Sequence, residues 1–548
     1  MRDPATGTGL ERQRERRRVW LVAALFAITA LALHWWRLQV LTASYDQGIF
    51  LQVLWNTARG HWFESTLSSQ LSTPVVHDGA LPVLGYRRLG QHFTPMLALW
   101  APLVALLGAW ALPLVQVGLI TGAGLVLHRL AEILLAPVLA RLVAWSYFGA
   151  NALIGPTLGN FTDLCQLPLA FFALMLGLRQ QRTWLIAIAA LVIPLIREDT
   201  GVLLVAVAIW MLVRQRERWR LALLLALYGG GWVLLCTTVL MPLFSEDSSR
   251  RFMVENFGQY LGERDQASSL EVLGHVLAQP VLVLRELVSP PLQTLLYLLG
   301  QSLPLALVPL VSIDSWLLAG PSLLGLFLAQ GDNDPLSINI RYTLLVVPGL
   351  FSGTVFWWHR RGGRVPARRW RSLWLGCIVL SLLFTLTSNP NRSLSFLIPD
   401  SIQPWVYSSP ARQWQHGRAA QRALAVIPPD ASVSANTPLV PWLAQRPALV
   451  RFPRGHRYRD RQGIEREVDW IAVDLGWLRH YGRAFPSDRR KLERAIRTLV
   501  ELSDRYRPLR VEDGVVVLQH RRHPPDDAEA GQADADLKRL LSRLQAEV

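Results

Sequence analysis

The chain has 548 residues, of which 51% are hydrophobic and 18% are charged, and its mean hydropathy is +0.25. This composition favours one large membrane domain with a polar remainder over several soluble domains. The net charge of +16 does not indicate nucleic-acid binding, because the arginines cluster at the ends of apolar stretches, where they act as topology signals beside anionic lipid. The cysteines Cys165, Cys236 and Cys377 are too few and too scattered for a disulfide framework or a zinc site.

The first predicted element is an apolar span over about 19–41, which is long enough to cross a bilayer. It follows five arginines: Arg12, Arg14, Arg16, Arg17 and Arg18. The positive-inside bias therefore keeps residues 1–18 in the cytoplasm. The span is too long for a cleaved signal peptide and lacks a small-residue cleavage site, so we expect a retained anchor. The chain then emerges on the extracytoplasmic side just before Asp46.

After the anchor we predict an external loop over 42–91 and a helix from His92 to Trp110 that lies in the outer interface. Ten further apolar spans follow, at about 112–127, 133–154, 167–178, 184–196, 202–212, 221–244, 292–311, 316–328, 342–358 and 373–386. If the helix after His92 does not cross, every arginine-rich turn falls inside, and the domain 19–388 has about eleven transmembrane helices. If it crosses, three arginine groups move outside, so we prefer the first arrangement.

This topology places several polar groups on the external face. They are Asp46, His92, the segments 160–163 and 197–199, the loop 245–290 and the turn 331–335. Ionisable residues at the ends of apolar helices are costly unless they serve a site or reach water. Their convergence on one face therefore predicts a polar cavity there.

The composition changes near residue 388, and the segment 389–523 contains no further span. Short β-like runs occur at 431–435, 448–452, 470–473 and 514–518, with helical stretches at 411–426 and 491–502. Strands that alternate with helices predict a small extracytoplasmic α/β domain. The end of the chain, 524–548, is acidic and then helix-like, and we expect a loosely held tail.

Asp46 is the first candidate site residue. A carboxylate beside the membrane on the external side lies outside the reach of cytosolic nucleotides, but it can meet a group carried on a lipid headgroup. It can act as general base for an incoming hydroxyl, or it can hold a metal ion. The alternative is that Asp46 only caps the start of an interfacial helix.

His92 and the triplet Arg197, Glu198 and Asp199 are the next candidates. His92 could position a phosphate or share a proton with Asp46, or it could simply sit at the wet end of an interfacial helix. The triplet lies between two apolar spans, where the cation suits an anionic headgroup and a carboxylate suits a sugar hydroxyl or a metal ion. The alternative is an internal ion pair that ties two helices together.

Asp163 and Arg341 are weaker candidates on the same face. Arg341, at the outer start of a span, could contact a lipid phosphate, although snorkelling explains it as well. The sequence contains no nucleotide-binding glycine loop, zinc-ligand spacing or nucleophile elbow. We therefore expect no metal site and no cofactor, apart from a divalent ion that the carboxylates could hold.

The chain resembles a prokaryotic membrane protein family, domain of unknown function 2079, over about residues 20–480. The resemblance rests on 45–50 (YDQGIF), 54–58 (LWNTA), 91–95 (QHFTP), 197–201 (REDTG), 427–435 (IPPDASVSA) and 439–443 (LVPWL). That family is similar in turn to the lipid-linked GT-C glycosyltransferases, which place an essential acidic residue in the first external loop. The resemblance implies a GT-C-like helical membrane fold, with Asp46 as the carboxylate that activates the acceptor and Glu198 or Asp199 in the same cavity.

The chain departs from that family at two places. It has Asp163, within the sequence Phe-Thr-Asp-Leu, where an Asp-Phe-His-like motif is usual, and it has Arg341 where histidine is frequent. If those histidines take part in the chemistry of the family, this chain lacks their contribution to the reaction.

These observations favour a glycosyltransferase that moves a sugar from a polyprenyl-phosphate carrier to an acceptor on the external face of a prokaryotic plasma membrane. Its partners would be the lipid bilayer and the polyprenyl-phosphate-linked sugar. A transporter or flippase would need polar residues along a whole transmembrane path and inverted repeats, and we see neither. A non-catalytic scaffold that presents the α/β domain is the third alternative.

Overall fold

The computed structural model describes residues 9–262, 264–329, 336–365, 367–523 and 530–547. Its internal contacts divide the chain into two compact units. The helical unit comprises the described residues of 1–32, 89–97 and 113–390. The mixed unit comprises 33–88, 98–112 and the described residues of 391–548. The turn predicted at 331–335 lies outside the described residues.

The part of the chain before residue 390 is mainly helical. Its α-helices are α1 (Gly9–Gln39), α2 (Tyr45–Thr57), α3 (Thr66–Ser69), α4 (Thr73–Val76), α5 (Ala101–Leu107), α6 (Ala111–Leu134), α7 (Pro137–Phe148), α8 (Asn151–Gly159), α9 (Leu167–Gln180), α10 (Thr183–Ile196), α11 (Gly201–Arg214), α12 (Trp219–Leu235), α13 (Pro242–Leu261), α14 (Ser269–Ala278), α15 (Pro280–Glu286), α16 (Pro291–Ser302), α17 (Val308–Val311), α18 (Ile313–Leu328), α19 (Thr343–Arg360) and α20 (Arg368–Ser388).

Within the described residues, five helical segments are long and apolar enough to cross a membrane. They are Gly9–Gln39, Pro95–Leu134, Pro137–Gly159, Arg216–Ser245 and Arg368–Ser388, and a bent pair, Pro280–Glu286 with Pro291–Leu305, makes a sixth if it counts as one span. Only 17% of the apolar stretch in Arg216–Ser245 is buried. Apolar surface of that extent suits lipid rather than water. The predicted number of about eleven spans is not confirmed, because several predicted spans form shorter helices.

Several predicted spans form helices of about the predicted length that are shorter than a bilayer core requires, namely α9, α10, α11 and α18. The span expected at 133–154 corresponds to the apolar helical segment Pro137–Gly159, which begins just after α6 ends at Leu134. The interfacial helix expected from His92 to Trp110 is a run of three short helices, Pro95–Trp100, α5 and Gly108–Trp110, with Gly108 at a φ of +58°, within the apolar segment Pro95–Leu134.

The segment 245–290, expected as a loop, is largely helical and contains most of α13 together with α14 and α15. A capping box begins α14, in which the Ser268 hydroxyl accepts from the Glu271 amide and the Glu271 carboxylate accepts from the Ser268 amide. These two hydrogen bonds satisfy amide groups that a helix start otherwise leaves unpaired.

The arginine-rich turns of the helical unit are joined to one another. The joining contacts are Arg16–Glu132, Arg141–Glu15, His359–Leu134, Arg360–Asp314, Arg214–Asp314 and Arg218–Leu178. Each contact connects residues at or near the ends of two helices. The N-terminal arginines and the basic turns near 128, 179, 214 and 360 therefore occupy the same end of the helical unit.

The mixed unit contains a five-stranded sheet of order β4-β3-β7-β9-β8. The strands of the unit are β1 (Ser401–Ile402), β2 (Trp405–Val406), β3 (Val433–Ala435), β4 (Leu449–Arg451), β5 (Arg457–Arg459), β6 (Glu465–Glu467), β7 (Trp470–Asp474), β8 (Tyr506–Glu512) and β9 (Val515–His520). Strand β3 is parallel to β4 and β7, whereas β9 is antiparallel to β7 and β8. The four predicted β-runs are confirmed as β3, β4, β7 and β9.

Helices cover this sheet: α21 (Pro410–Leu424), α22 (Val440–Leu443), α23 (Leu475–Gly482), α24 (Pro486–Glu501) and α25 (Ala530–Glu547). Leu492, Ile496 and Leu499 recur at helical spacing on α24 and are buried in the core. Leu537 and Leu544 of α25 are buried in the same core. The helical part of the tail is therefore packed against the domain and not loosely held, because its leucines form an apolar stripe.

Most of the segment predicted as an external loop, 42–88, belongs to the mixed unit as well. Gln52 of α2 is buried, and its amide nitrogen donates to the Thr66 hydroxyl and to the carbonyl of Arg446, each at 3.1 Å. Its amide oxygen accepts from the Ser65 hydroxyl at 2.8 Å and from the Leu67 amide at 3.1 Å. This network ties α2 to the loop before β4, since each buried polar atom of Gln52 has a partner.

Candidate functional site

Asp46 lies in the first turn of α2, and the preceding Ser44 occupies the N-cap position with extended backbone. The alternative in which Asp46 itself caps the helix is therefore not what the structure contains. A carboxylate in the first turn is stabilised by the positive end of the helix dipole, so this position suits an ionised side chain.

Tyr45 connects this turn to the sheet of the mixed unit. Its hydroxyl donates to the carbonyl oxygen of Leu67 at 3.0 Å, and its ring faces Arg451, whose guanidinium carbon lies 4.6 Å from the ring centroid. Burial raises the pKa of Tyr45 well above its ordinary value, so the phenol stays neutral. Arg451 also interacts electrostatically with Asp46.

A cavity of about 340 Å³ opens at the carboxyl ends of the three parallel strands. It is lined by the loop 41–44, by residues 436–438 after β3, by 451–454 at the end of β4, and by parts of α23 and α24. In α/β sheets, ligands bind in the crevice outside the carboxyl ends of the strands. The volume is that of a small-molecule site.

The charges that line this cavity are predominantly positive. The cations are Arg392, Arg451, Arg454, Lys491 and Arg494, and the lining contains a single carboxylate, Asp488. We call these five cations the basic cluster. Sequence reasoning missed all of them. The sequence did contain one signal of this cluster: Arg451 and Arg454 lie at and just beyond the end of the predicted β-run 448–452, and α/β domains bind ligands at such strand ends.

Asp488 is engaged by two members of the basic cluster. Its carboxylate accepts from Arg392 at 2.9 Å and from Lys491 at 3.0 Å. Burial disfavours the ionised carboxylate, but these two cations outweigh it and lower the pKa of Asp488. Arg392 is also held over two aromatic rings, at 3.7 Å from the centroid of Tyr481 and 4.6 Å from that of Phe485.

The helical unit contains a second group of polar residues. His92 Nδ1 lies 2.9 Å from one oxygen of Glu198, and the other oxygen accepts from the Phe93 amide at 2.9 Å. Glu198 thus links the turn between α10 and α11 to the segment that follows Gly90. Both of its carboxylate oxygens are engaged within the helical unit.

Arg197 is buried in the same turn. It forms an ion pair with Asp199, with Nε 2.8 Å from the carboxylate, so this pair is local and does not tie two helices together. The guanidinium also lies 5.6 Å from the centroid of Tyr342, and it interacts electrostatically with Asp163 and Glu198.

Asp163 and Arg341 complete this group, which we call the polar group. Asp163 is buried and accepts from the Thr162 hydroxyl and the Leu164 amide, each at 3.0 Å. Arg341 lies just before α19, with its guanidinium 5.5 Å from the centroid of Tyr342. The predicted residues other than Asp46 therefore lie together. Asp46 belongs to the mixed unit, and its participation in the same pocket stays a prediction.

The polar group and the arginine-rich turns lie at opposite ends of the helical unit. Helix α9 begins just after Asp163 and ends beside the basic turn at 179. Helix α11 begins just after Asp199 and ends at Arg214. No set of three or more His, Cys, Asp and Glu side chains in the described part of the chain could hold a metal ion.

The model of a family described as "Predicted membrane protein (DUF2079)" matches residues 37–517. No curated protein matches the chain. Among solved structures, the chain is similar to ArnT from Cupriavidus metallidurans bound to undecaprenyl phosphate, with 12% identity and a TM-score of 0.48, over 91% of this chain and 97% of that chain. At this identity and TM-score, the ligand of ArnT says nothing about the ligand of this chain.

Proposed function

Because the chain belongs to the DUF2079 family of predicted membrane proteins, we propose that it acts within a membrane as a glycosyltransferase. It would move a sugar from a polyprenyl-phosphate donor to an acceptor on the extracytoplasmic face. The arginine-rich end of the helical unit would face the cytoplasm, as the positive-inside bias requires. The α/β domain would then be extracytoplasmic.

The observation that carries this proposal is the position of the polar group. Its charged residues come from distant stretches of the chain and meet at the end of the helical unit away from the arginine-rich turns. Ionisable groups at the ends of apolar helices are retained where they serve a site. A site at that end would face lipid-carried substrates and not cytosolic nucleotide sugars.

In the proposed reaction, Asp46 accepts the proton of an acceptor hydroxyl while the oxygen attacks the anomeric carbon. The new carbon–oxygen bond forms as the sugar–phosphate bond breaks, and the polyprenyl phosphate leaves with the bonding electrons. Arg197 and Arg341 would offset the charge that develops on this phosphate, a task suited to a water-poor site. His92 would orient Asp46 or the phosphate, and Glu198 or Asp199 would contact sugar hydroxyls.

A panel of labelled polyprenyl-phosphate sugars, offered to the purified protein, tests the proposal. Asp46→Asn should lower transfer by about 100-fold or more, because the neutral amide cannot take up the proton. Asp78→Asn is the matched control, since Asp78 is an exposed carboxylate of the same external segment. It should transfer at the wild-type rate. Wild-type transfer by the Asp46 variant would remove Asp46 from the mechanism.

The same panel distinguishes the alternatives. A transporter or flippase would carry the labelled lipid across vesicle membranes with the sugar–phosphate bond intact. A scaffold would neither cleave nor move it. Release of polyprenyl phosphate together with a labelled acceptor is the result that only a transferase produces.

A further inference from the structure

The basic cluster of the mixed unit contains more positive charge than its surroundings neutralise. Asp488 pairs with Arg392 and Lys491. The other three cations, Arg451, Arg454 and Arg494, have no carboxylate within ion-pair distance among the described residues. All three line the same cavity, whose strand-end position is where α/β sheets bind ligands.

Arg451 is the member whose charge is most costly to hold. Burial lowers the pKa of its guanidinium, and the charges of Arg454 and Arg494 lower it further, while Tyr45 and Asp46 act in the opposite direction. The guanidinium stays protonated under these conditions, so its unfavourable electrostatic energy lowers the stability of the folded protein. A half-buried cation beside two exposed like charges is stabilised when an anion enters the cavity.

We propose that this cavity binds the anionic group, a phosphate or a carboxylate, of the acceptor. Three guanidinium groups offer forked donors to such an oxyanion, and arginine is the side chain best suited to bidentate recognition of phosphate and carboxylate. The acceptor role rests on the proposed function, because Asp46 would be the base that acts on the acceptor hydroxyl. Binding of the anion itself does not depend on it.

The geometry favours the acceptor over the donor as the occupant. The guanidinium carbon of Arg451 lies 4.6 Å from the ring centroid of Tyr45, the neighbour of Asp46, and the loop 41–44 forms one wall of the cavity. A ligand whose anion is held by Arg451 would therefore present its hydroxyl groups near the carboxylate of Asp46. The phosphate of the donor would be served by Arg197 and Arg341 of the polar group.

Calorimetric titration of the full-length protein with inorganic pyrophosphate measures the site directly. The variant Arg494→Gln should weaken pyrophosphate binding about tenfold, which is the effect of losing one charge-assisted contact to a phosphate. Arg490→Gln is the matched control, because Arg490 is exposed on the same helix and does not line the cavity. It should bind as the wild type does. Arg451→Gln should weaken binding at least as much, and its melting temperature reports whether it folds.

Nanodiscs distinguish the two sources of the anion. If phosphatidylglycerol weakens pyrophosphate binding relative to phosphatidylcholine, a lipid headgroup carries the anion, and if the two lipids are equivalent, the acceptor is soluble. Equal pyrophosphate affinity of the wild type and of folded Arg494→Gln and Arg451→Gln would overturn the proposal. Asp46→Asn should retain pyrophosphate binding, so failure of transfer and failure of anion binding are separate results.

Discussion

The guanidinium carbon of Arg451 lies 4.6 Å from the centroid of the Tyr45 ring. This contact joins the end of β4 to the first turn of α2, where Asp46 is located. A cation over an aromatic face is attracted by the ring, and the attraction is stronger where water is excluded. The ring of Tyr45 therefore holds the charge of Arg451 at the wall of the cavity.

Replacement of Tyr45 tests this contact. Tyr45→Leu should weaken pyrophosphate binding about threefold to tenfold, since the cation loses the ring that positions it. Tyr45→Phe keeps the ring and should bind normally, while its stability falls by about 1 kcal/mol with the loss of the hydrogen bond to Leu67. Titration calorimetry and melting temperature measure the two effects. Equal affinities for the Leu and Phe variants would show that the ring does not position Arg451.

Gly48 allows α2 to approach α22 closely. A Cβ atom at this position would lie 2.4 Å from Cγ1 of Val440, which is a short branched side chain with little room to move. Gly48→Ala should therefore destabilise the protein by about 1–3 kcal/mol. The double variant with Val440→Ala should recover part of this loss, as measured by melting temperature. If the second substitution gives no recovery, the clash is not the cause.

Gly201 and Gly229 form the crossing of α11 and α12, next to the polar group. A Cβ on Gly229 would lie 2.4 Å from the carbonyl oxygen of Gly201, so the two backbones are in direct contact. Small residues permit such close packing between membrane helices. We expect Gly229→Ala to lower the melting temperature, at a cost of about 1–3 kcal/mol. Gly231→Ala on the same helix meets no atom within 4 Å and should be neutral or stabilising.

Replacement of Glu198 tests the structural role of the polar group. Its two oxygens accept from Phe93 and contact His92, and an amide can accept at only one of these positions. Glu198→Gln should therefore destabilise the helical unit by about 1–3 kcal/mol. Glu217→Gln, an exposed position in the same unit, is the control in a thermal unfolding assay. An unchanged melting temperature would mean that the contacts of Glu198 are not needed for folding.

His416 makes the stability of the mixed unit depend on pH. Its ring nitrogens each lie 2.8 Å from a carboxylate oxygen, one of Asp474 and one of Asp513. Burial opposes protonation, but the two carboxylates outweigh it and raise the pKa of His416 from 6.5 to about 9. The pairing of protonated His416 with the two carboxylates therefore contributes its full stabilisation below about pH 6.5, and this contribution is lost as the pH rises through about 9.

The melting temperature should accordingly fall between about pH 6.5 and pH 9. Over this range the free energy of unfolding should decrease by about 3 kcal/mol in total. His416→Gln should remove most of this slope, because glutamine does not titrate. His77→Gln changes an exposed histidine and should retain it. A pH slope that is the same in both variants would contradict the assignment to His416.

Part of the fold could be predicted because it follows from local patterns. The four β-runs of the α/β domain became strands, since apolar and β-branched residues specify a buried strand over a few positions. Strand β8 was missed, because Arg507, Pro508 and Arg510 interrupt its pattern. The helices of 245–290 were missed as well, because α14 and α15 are apolar runs of only ten and seven residues, too short to indicate a span. The predicted number of spans is not confirmed, because several predicted runs, α9, α10, α11 and α18, form helices of only 14–16 residues.

The sequence by itself determined the membrane character of the chain, four strands of its α/β region and the turns that carry arginine. These depend on hydropathy and charge along the chain, which need no knowledge of long-range contacts. Only the tertiary structure decided which side chains meet. Arg451, Arg454 and Arg494 share a cavity because the parallel strands end at one edge of the sheet and α24 packs beside that edge. Their proximity arises from strand order and helix packing, and neither is encoded in the spacing of the residues.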